Sequence, residues 1–282
     1  MDATNKYQEP EWLKEAIRLY TEEHLSYNAI GKIFNTNRKT VSYHLRLNGV
    51  ESNKKFYSPV NIEKLRKYDY SIADHIFDVI DTEEKAYWLG FLYADGYVSG
   101  AKNTIALALK EEDLKAIENF RKFVGLENKP ITTKIRHLST GDKYSYQFSF
   151  DSKAVKDRLA ELGCINRKTA ILKFPTENQV PKKLLSHFIR GYIDGDGCIY
   201  TNKNKITVEI LGTEEFLTEL KKWINLGQSK IYKTHSPIVM KTLHSGKYAL
   251  ELLERIYKDS TIYLDRKYKK YLDYLARQEE RH

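Results

Sequence analysis

Cysteine is nearly absent from this chain of 282 residues, and the two present, Cys164 and Cys198, form neither a zinc pattern nor a disulfide framework. They read as reduced thiols of an intracellular protein. Long apolar runs are missing as well. No stretch approaches a membrane span, and Met1-Asp2-Ala3-Thr4-Asn5-Lys6 lacks the apolar core of a signal peptide. A soluble protein that stays in the cytoplasm is expected, with no membrane partner. Acids are in deficit, 38 against 47 Lys and Arg, for a formal charge of +9. That surplus favours a polyanionic partner, although ordinary solubilising charge produces the same excess. An apolar content of 41% suffices for packed cores, and the length allows one large domain with a small module attached.

Against these absences stands one apolar stretch that occurs twice. Trp88-Leu89-Gly90-Phe91-Leu92-Tyr93-Ala94-Asp95-Gly96 is answered by Ile189-Arg190-Gly191-Tyr192-Ile193-Asp194-Gly195-Asp196-Gly197. The spacing predicts a helix in each. Gly90 and Ala94, like Gly191 and Gly195, fall one turn apart on one face, and small residues so placed let two helix backbones approach closely. Gly96 and Gly197 suit the left-handed position just past a helix C-terminus. Asp95 and Asp196 then sit in the last turn, where the helix dipole disfavours a carboxylate by a few tenths to about 1 kcal/mol. If the helices pair, these carboxylates also repel one another. Both costs point to a divalent cation at the shared end. A single Asp-Gly is as readily a helix stop; the recurrence with the same small-residue face argues against coincidence. Asp194 should point to a different face, at the surface.

In the N-terminal part, Trp12, Leu13, Ala16, Ile17 and Tyr20 make an amphipathic stripe from Pro10 to about Glu23. Ser26 can cap a second helix through Phe34 with Ala29, Ile30 and Ile33 inward, and Asn37 a third through Leu47, buried by Val41 and Leu45 and stopped by Gly49. Three short helices with a tight turn before the last resemble a helix-turn-helix module, whose final helix would enter the major groove with Arg38, Lys39, Ser42, Tyr43 and Arg46 outward. Six basic residues against one acid between Lys32 and Lys55 put charge where a duplex would lie. Small three-helix modules also dock proteins.

Residues 51–80 carry no sustained period and read as a linker with at most a short helix over 62–67, able to let two DNA-binding units engage one duplex. Beyond it, alternation and turn residues predict strands at 104–110, 131–138 and 144–150, helices at 111–124 and 153–162, and a turn at Ser139-Thr140-Gly141-Asp142. The second half repeats the order: strand 206–211, helix 214–224, strands near 230–235 and 238–243, helix 248–257. Thr132, Lys134, Arg136, Ser145, Gln147 and Ser149 face away from the apolar residues; Lys230, Lys233, His235, Lys241 and His244 are the second half's counterparts. Polar side chains on a two-stranded ribbon suit base edges in a major groove. A solvated sheet face is the plainer alternative for any one of them.

The paired nonamers resemble the signature helices of the LAGLIDADG homing endonucleases in their single-chain, two-motif form, over about the last two hundred residues. The resemblance implies an α+β fold of two αββαββα repeats, 81–178 and 179–282, related by a pseudo-two-fold axis and forming a saddle over DNA. The small all-α helix-turn-helix domain, 1–50, precedes them. It implies a monomer acting on double-stranded DNA and hydrolysing one phosphodiester on each strand of a long site. Asp95 and Asp196 would be metal ligands, with Mg²⁺ favoured by their hard oxygens and Mn²⁺ as a substitute. Asn166-Arg167-Lys168-Thr169 resembles Asp265-Arg266-Lys267-Tyr268, and in the family a lysine of this segment reaches towards the scissile phosphate. Lys168 and Lys267 are the candidates, with Arg167 and Arg266 behind them and ordinary basic surface as the alternative. The chain departs from the signature at Tyr93 and Arg190, neither a metal carboxylate.

Such an enzyme would be encoded by a mobile intron or a free-standing gene. A DNA-binding regulator that does not cut is a second reading, disfavoured by retention of both carboxylates. An RNA-splicing maturase is a third, disfavoured by a module built for a major groove, which A-form RNA closes to side chains. Intein splicing is expected to be absent, since Met1-Asp2 and Arg281-His282 lack its chemistry.

Overall fold

The computed structural model describes residues 9–50, 68–137, 141, 143–202, 204–227 and 229–280. The helix expected over 62–67, most of the turn at 139–142 and the side chain of Arg136 lie outside the described residues. The chain divides into two compact units, Met1–Lys67 and Tyr68–His282.

In the first unit, α1 (Leu13–Thr21), α2 (Tyr27–Ile33) and α3 (Arg38–Leu47) enclose Leu13, Ala16, Leu19, Tyr20, Ile30, Val41 and Leu45. The expected caps are in place. Ser26 Oγ accepts from the Ala29 amide at 3.2 Å, and Asn37 Oδ1 accepts from that of Thr40 at 2.9 Å. The turn between α2 and α3 is tight: a Cβ on Gly31 would lie 2.7 Å from the Thr36 carbonyl oxygen. Ile33, expected inward, is 55% exposed, because the last turn of so short a helix extends past the core that Ile30 fills.

The second unit holds two halves of the same order. In the first, α4 (Glu83–Asp95) leads into β1 (Gly96–Val98), β2 (Thr104–Lys110), α5 (Leu114–Phe123), β3 (Thr132–Arg136), β4 (Lys143–Asp151) and α6 (Lys153–Glu161). The other consists of α7 (Leu185–Asp196), β5 (Gly197–Asn202), β6 (Lys205–Gly212), α8 (Glu214–Ile224), β7 (Ile231–Lys233), β8 (Met240–Ser245) and α9 (Lys247–Tyr257), closed by α10 (Asp265–Glu279). Both sheets are antiparallel, ordered β1-β2-β4-β3 and β5-β6-β8-β7. This is an α+β fold with one duplicated plan. Register makes the halves comparable residue by residue: Gly96 pairs with Leu107 and Leu107 with Phe148, as Gly197 pairs with Ile210 and Ile210 with Thr242. One apolar core runs through both, from Phe120 against Phe148 and Phe150 to Tyr192 against Phe216.

Four expectations change. The linker does not extend to 80: Tyr70, Ala73, Phe77 and Ile80 are buried in the second unit's core, so 68–80 belongs to that unit. Short strands β1 and β5 and the final helix α10 were not read from the pattern. Gly96 and Gly197 are not left-handed; their φ values are −70° and −100°, and both enter strands directly. Glycine is needed there for proximity, since a Cβ on either would lie 2.5 Å from the carbonyl oxygen of Leu92 or Ile193. His244 is buried, at 2% exposure, in the register position that Phe150 holds in the first sheet. Desolvation pulls its imidazole down to about 4.

Candidate active site

The site begins where two helices touch backbone to backbone. A Cβ built on Gly90 would lie 2.0 Å from the Phe188 carbonyl oxygen, and one on Gly191 would lie 1.9 Å from that of Tyr87. These approaches are reciprocal, as a two-fold pairing requires. The seam continues to the helix ends: a Cβ on Gly195 would meet the Ala94 Cβ at 2.2 Å and the Asp95 amide nitrogen at 3.5 Å. Thr82 starts α4 by accepting from the Lys85 amide at 3.3 Å, and from there every residue between Ala86 and Tyr93 is buried. Only at Asp95 does α4 return to solvent.

The two acids end close enough for Asp95 to perturb Asp196. Asp196, partly buried, is pushed up to about 6, first by burial and then by the neighbouring Asp95 carboxylate, while Lys168 and Lys267 act in the opposite sense. Asp95 is also raised, by desolvation, against the pull of Lys267, Lys168 and Arg266. Its residue surface is exposed, so water tempers that shift. Two oxygen donors from separate helices suit a hard divalent ion that completes its shell with water and phosphate oxygens. Among the described residues, no group of three or more His, Cys, Asp or Glu converges for a metal.

Lys168 and Lys267 both come to this end of the helices. The Lys168 ammonium donates to the Gly96 carbonyl oxygen. Lys267, 2% exposed, donates to the carbonyls of Ile193, Asp194, Gly195 and Gly197 at 2.7, 2.6, 3.3 and 2.6 Å. A cation there offsets the negative end of the α7 dipole. Burial pulls Lys267 down to about 8, so it is mostly ionised at neutral pH. Arg266 is held instead by Asp113 of the first half, its Nε 2.9 and 3.1 Å from the two carboxylate oxygens. Arg167 is exposed in a left-handed conformation, φ 55°.

Asp194 is a correction, being 1% exposed rather than at the surface. Lying two residues before Asp196, it turns inward along α7. Its Oδ2 accepts from the Tyr87 hydroxyl at 2.9 Å and from the Leu264 amide, which precedes α10, at 2.8 Å; burial pushes its carboxyl up to about 6. One turn earlier, Arg190 is fully buried and donates to the carbonyls of Ile262 and Ile256 at 2.8 and 2.5 Å and to Glu83 at 2.6 Å. Glu83 accepts in turn from Thr261 through its amide, at 2.8 Å, and its hydroxyl, at 2.9 Å. This polar cluster ties the 256–264 connection, and so Lys267, to both α4 and α7. The sequence signal was present as Arg and Asp one turn apart in an apolar motif.

On the sheet faces turned from the core, Thr132 pairs with Gln147 and Lys134 with Ser145, so these share one surface with Ser149. Lys241 lies on the corresponding surface of the second sheet, with Tyr232 beside it. Lys233 falls in the row of Met240, on the opposite face, because β7 presents Tyr232 and not Lys233 towards Lys241. His244 faces the core. Lys230 and His235 flank β7 rather than belong to it. On the first unit, Arg38, Lys39, Tyr43 and Arg46 of α3 are exposed and Ser42 is partly so. No helix among the described residues is long and apolar enough to cross a membrane.

Comparison with models of known families finds no match, and comparison with curated proteins finds none. Solved structures do resemble the chain. The LAGLIDADG meganuclease I-AabMI bound to uncleaved DNA is similar over 68% of this chain and 89% of its own, at 12% identity and a TM-score of 0.44. The meganuclease I-SmaMI bound to uncleaveable DNA with a TTCT central four is similar over 70% and 92%, at 12% identity and a TM-score of 0.43. The I-LtrWI LAGLIDADG homing endonuclease bound to target DNA is similar over 70% and 92%, at 13% identity and a TM-score of 0.41.

Proposed function

We infer that this chain is a divalent-metal-dependent, site-specific DNA endonuclease of the LAGLIDADG homing type, acting as a monomer and cutting both strands of one duplex. The observation that carries the reading is the pair of Asp95 and Asp196 at the tips of two helices whose backbones touch. Without a cation this arrangement raises Asp196 at the expense of stability. Asp95 and Asp196 would hold Mg²⁺, which when bound supplies a more acidic water and offsets charge developing on phosphate. Lys168 and Lys267 add positive charge beside both carboxylates, where a scissile phosphate would arrive. Lys134, Gln147 and Lys241 are the proposed duplex-facing residues of the sheets, and Lys233, on the opposite face, is not among them. A DNA-binding regulator without nuclease activity is the competing reading.

Selection from a randomised duplex library with Mg²⁺, followed by sequencing of the cut ends, tests the proposal. A single long site cut once on each strand is expected; enrichment of bound but uncut duplex would favour the regulator. For the first unit, Arg38, Lys39, Ser42, Tyr43 and Arg46 are proposed to lie against a major groove and its phosphates. Deleting residues 1–50 is expected to weaken binding and to flatten the dependence of log affinity on log salt, by close to one unit for each phosphate that the truncated chain no longer neutralises. An unchanged slope in a salt titration would remove that role.

A further inference from the structure

The two sheets present different chemistry at equivalent positions. Gln147 stands between Ala108 and Thr132 as Lys241 stands between Leu211 and Tyr232. By the same register Ala106, paired with Ser149, corresponds to Glu209, paired with Leu243. Glu209 is therefore an acid on the face turned from the core, in the row next to Lys241. The Lys241 ammonium lies 3.4 and 3.5 Å from the two Glu209 carboxylate oxygens, and both side chains reach solvent, at 33% and 24% exposure.

On a surface meant for a polyanion, an acid weakens binding unless it meets a donor. The cytosine amino group is a major-groove donor beside two acceptors of its partner base, guanine O6 and N7. A cation and an acceptor side by side match that edge. Lysine takes guanine and glutamate takes cytosine. The equivalent place in the first half offers Gln147, which suits adenine N6 and N7, next to a neutral alanine.

Resting on the endonuclease reading, the geometry points to Glu209 and Lys241 as a joint reader of one G·C pair, and to Gln147 as the reader of an A·T pair at the mirrored position of the other half-site. The target is thus a broken palindrome, with its asymmetry written at that pair. Glu209 is the specificity-determining residue, since its acceptor also repels the acceptor atoms of a wrong base.

The test is library selection with the full chain and Mg²⁺, run for the wild-type chain, Glu209→Gln and Glu209→Ala. Wild-type sites should share a G·C pair on one side of the cut and an A·T pair mirrored on the other. Both variants should lose about tenfold of the preference for cytosine at that one pair, with preferences elsewhere unchanged. Unaltered preference at every position in both variants, or a loss spread evenly over the site, would overturn the inference while leaving the endonuclease reading intact. So would a wild-type site with no invariant G·C pair. A wild-type chain that neither retains nor cuts any duplex would overturn the endonuclease reading and this inference with it.

Discussion

Asp95→Asn and Asp196→Asn should each leave duplex affinity within a few fold of wild type and lower cleavage by roughly a thousandfold, the several kcal/mol that a correctly held metal contributes at a phosphodiester. Asparagine keeps the size and one oxygen of the side chain but removes the charge, so binding surfaces survive while the donor set fails. Strand-resolved cleavage assays beside gel-shift titrations measure both quantities. Retained Mg²⁺-dependent cutting by the double variant would remove the site assignment.

The same substitution has a stability signature of opposite sign. Asp196 titrates at about 6 in the folded chain, above its ordinary value of 3.8. A carboxyl raised on folding contributes stability that is fully present below pH 3.8 and is lost as pH rises through 6. Asp196→Asn should therefore be more stable than wild type at pH 7 by about 1–3 kcal/mol in metal-free buffer, with the gain vanishing near pH 4. Denaturant titrations across that range measure it. A variant less stable than wild type at pH 7 would show that the carboxylate is held by favourable partners and is no strained metal site.

Much of this was legible because two unrelated constraints fall on the same residues. Close helix approach demands Gly90 and Gly191, and the proposed metal site would demand Asp95 and Asp196, so the pattern is dense and repeated. The amphipathic helices and their caps at Ser26 and Asn37 were legible for local reasons, since a cap is satisfied within three residues. The sheet faces were harder. Lys233 and His244 look like polar outward positions in a linear reading, but which face a residue takes depends on pairing with a strand far along the chain, and a one-residue change of phase reverses it. Asp194 was misjudged for a similar reason: its partners, Tyr87 and the Leu264 amide, come from other segments, and a buried acid gives no local sign of them. A three-residue strand such as β1 is too short for alternation to show.

Gly191→Ala is expected to destabilise the second unit by more than about 3 kcal/mol, at or beyond the upper end of ordinary overpacking. The magnitude follows from a contest of two effects. In an exposed helix the change would stabilise by about 1 kcal/mol, because alanine is the better helix former. Here the added methyl would lie 1.9 Å from the Tyr87 carbonyl oxygen, 2.8 Å from its carbon and 3.0 Å from the Phe91 amide nitrogen, all backbone atoms of the facing helix. Backbone cannot swing aside as a flexible side chain can. Relief requires α4 and α7 to move apart, and that loosens packing around Tyr87, Phe91, Phe188 and Tyr192, each buried to 1% exposure or less. Gly90→Ala should cost a similar amount for the reciprocal reason. The double variant should cost less than the sum of the two, because one separation of the helices relieves both clashes. Urea midpoints at constant slope, read for the three variants, measure this coupling. Strict additivity would mean that each helix yields locally. In that case the acidic tips could keep their spacing, and cleavage by the single variants should persist at wild-type rates once the chain is folded. If the helices instead separate as a pair, the folded fraction of either variant should also cut poorly, since Asp95 and Asp196 would no longer meet.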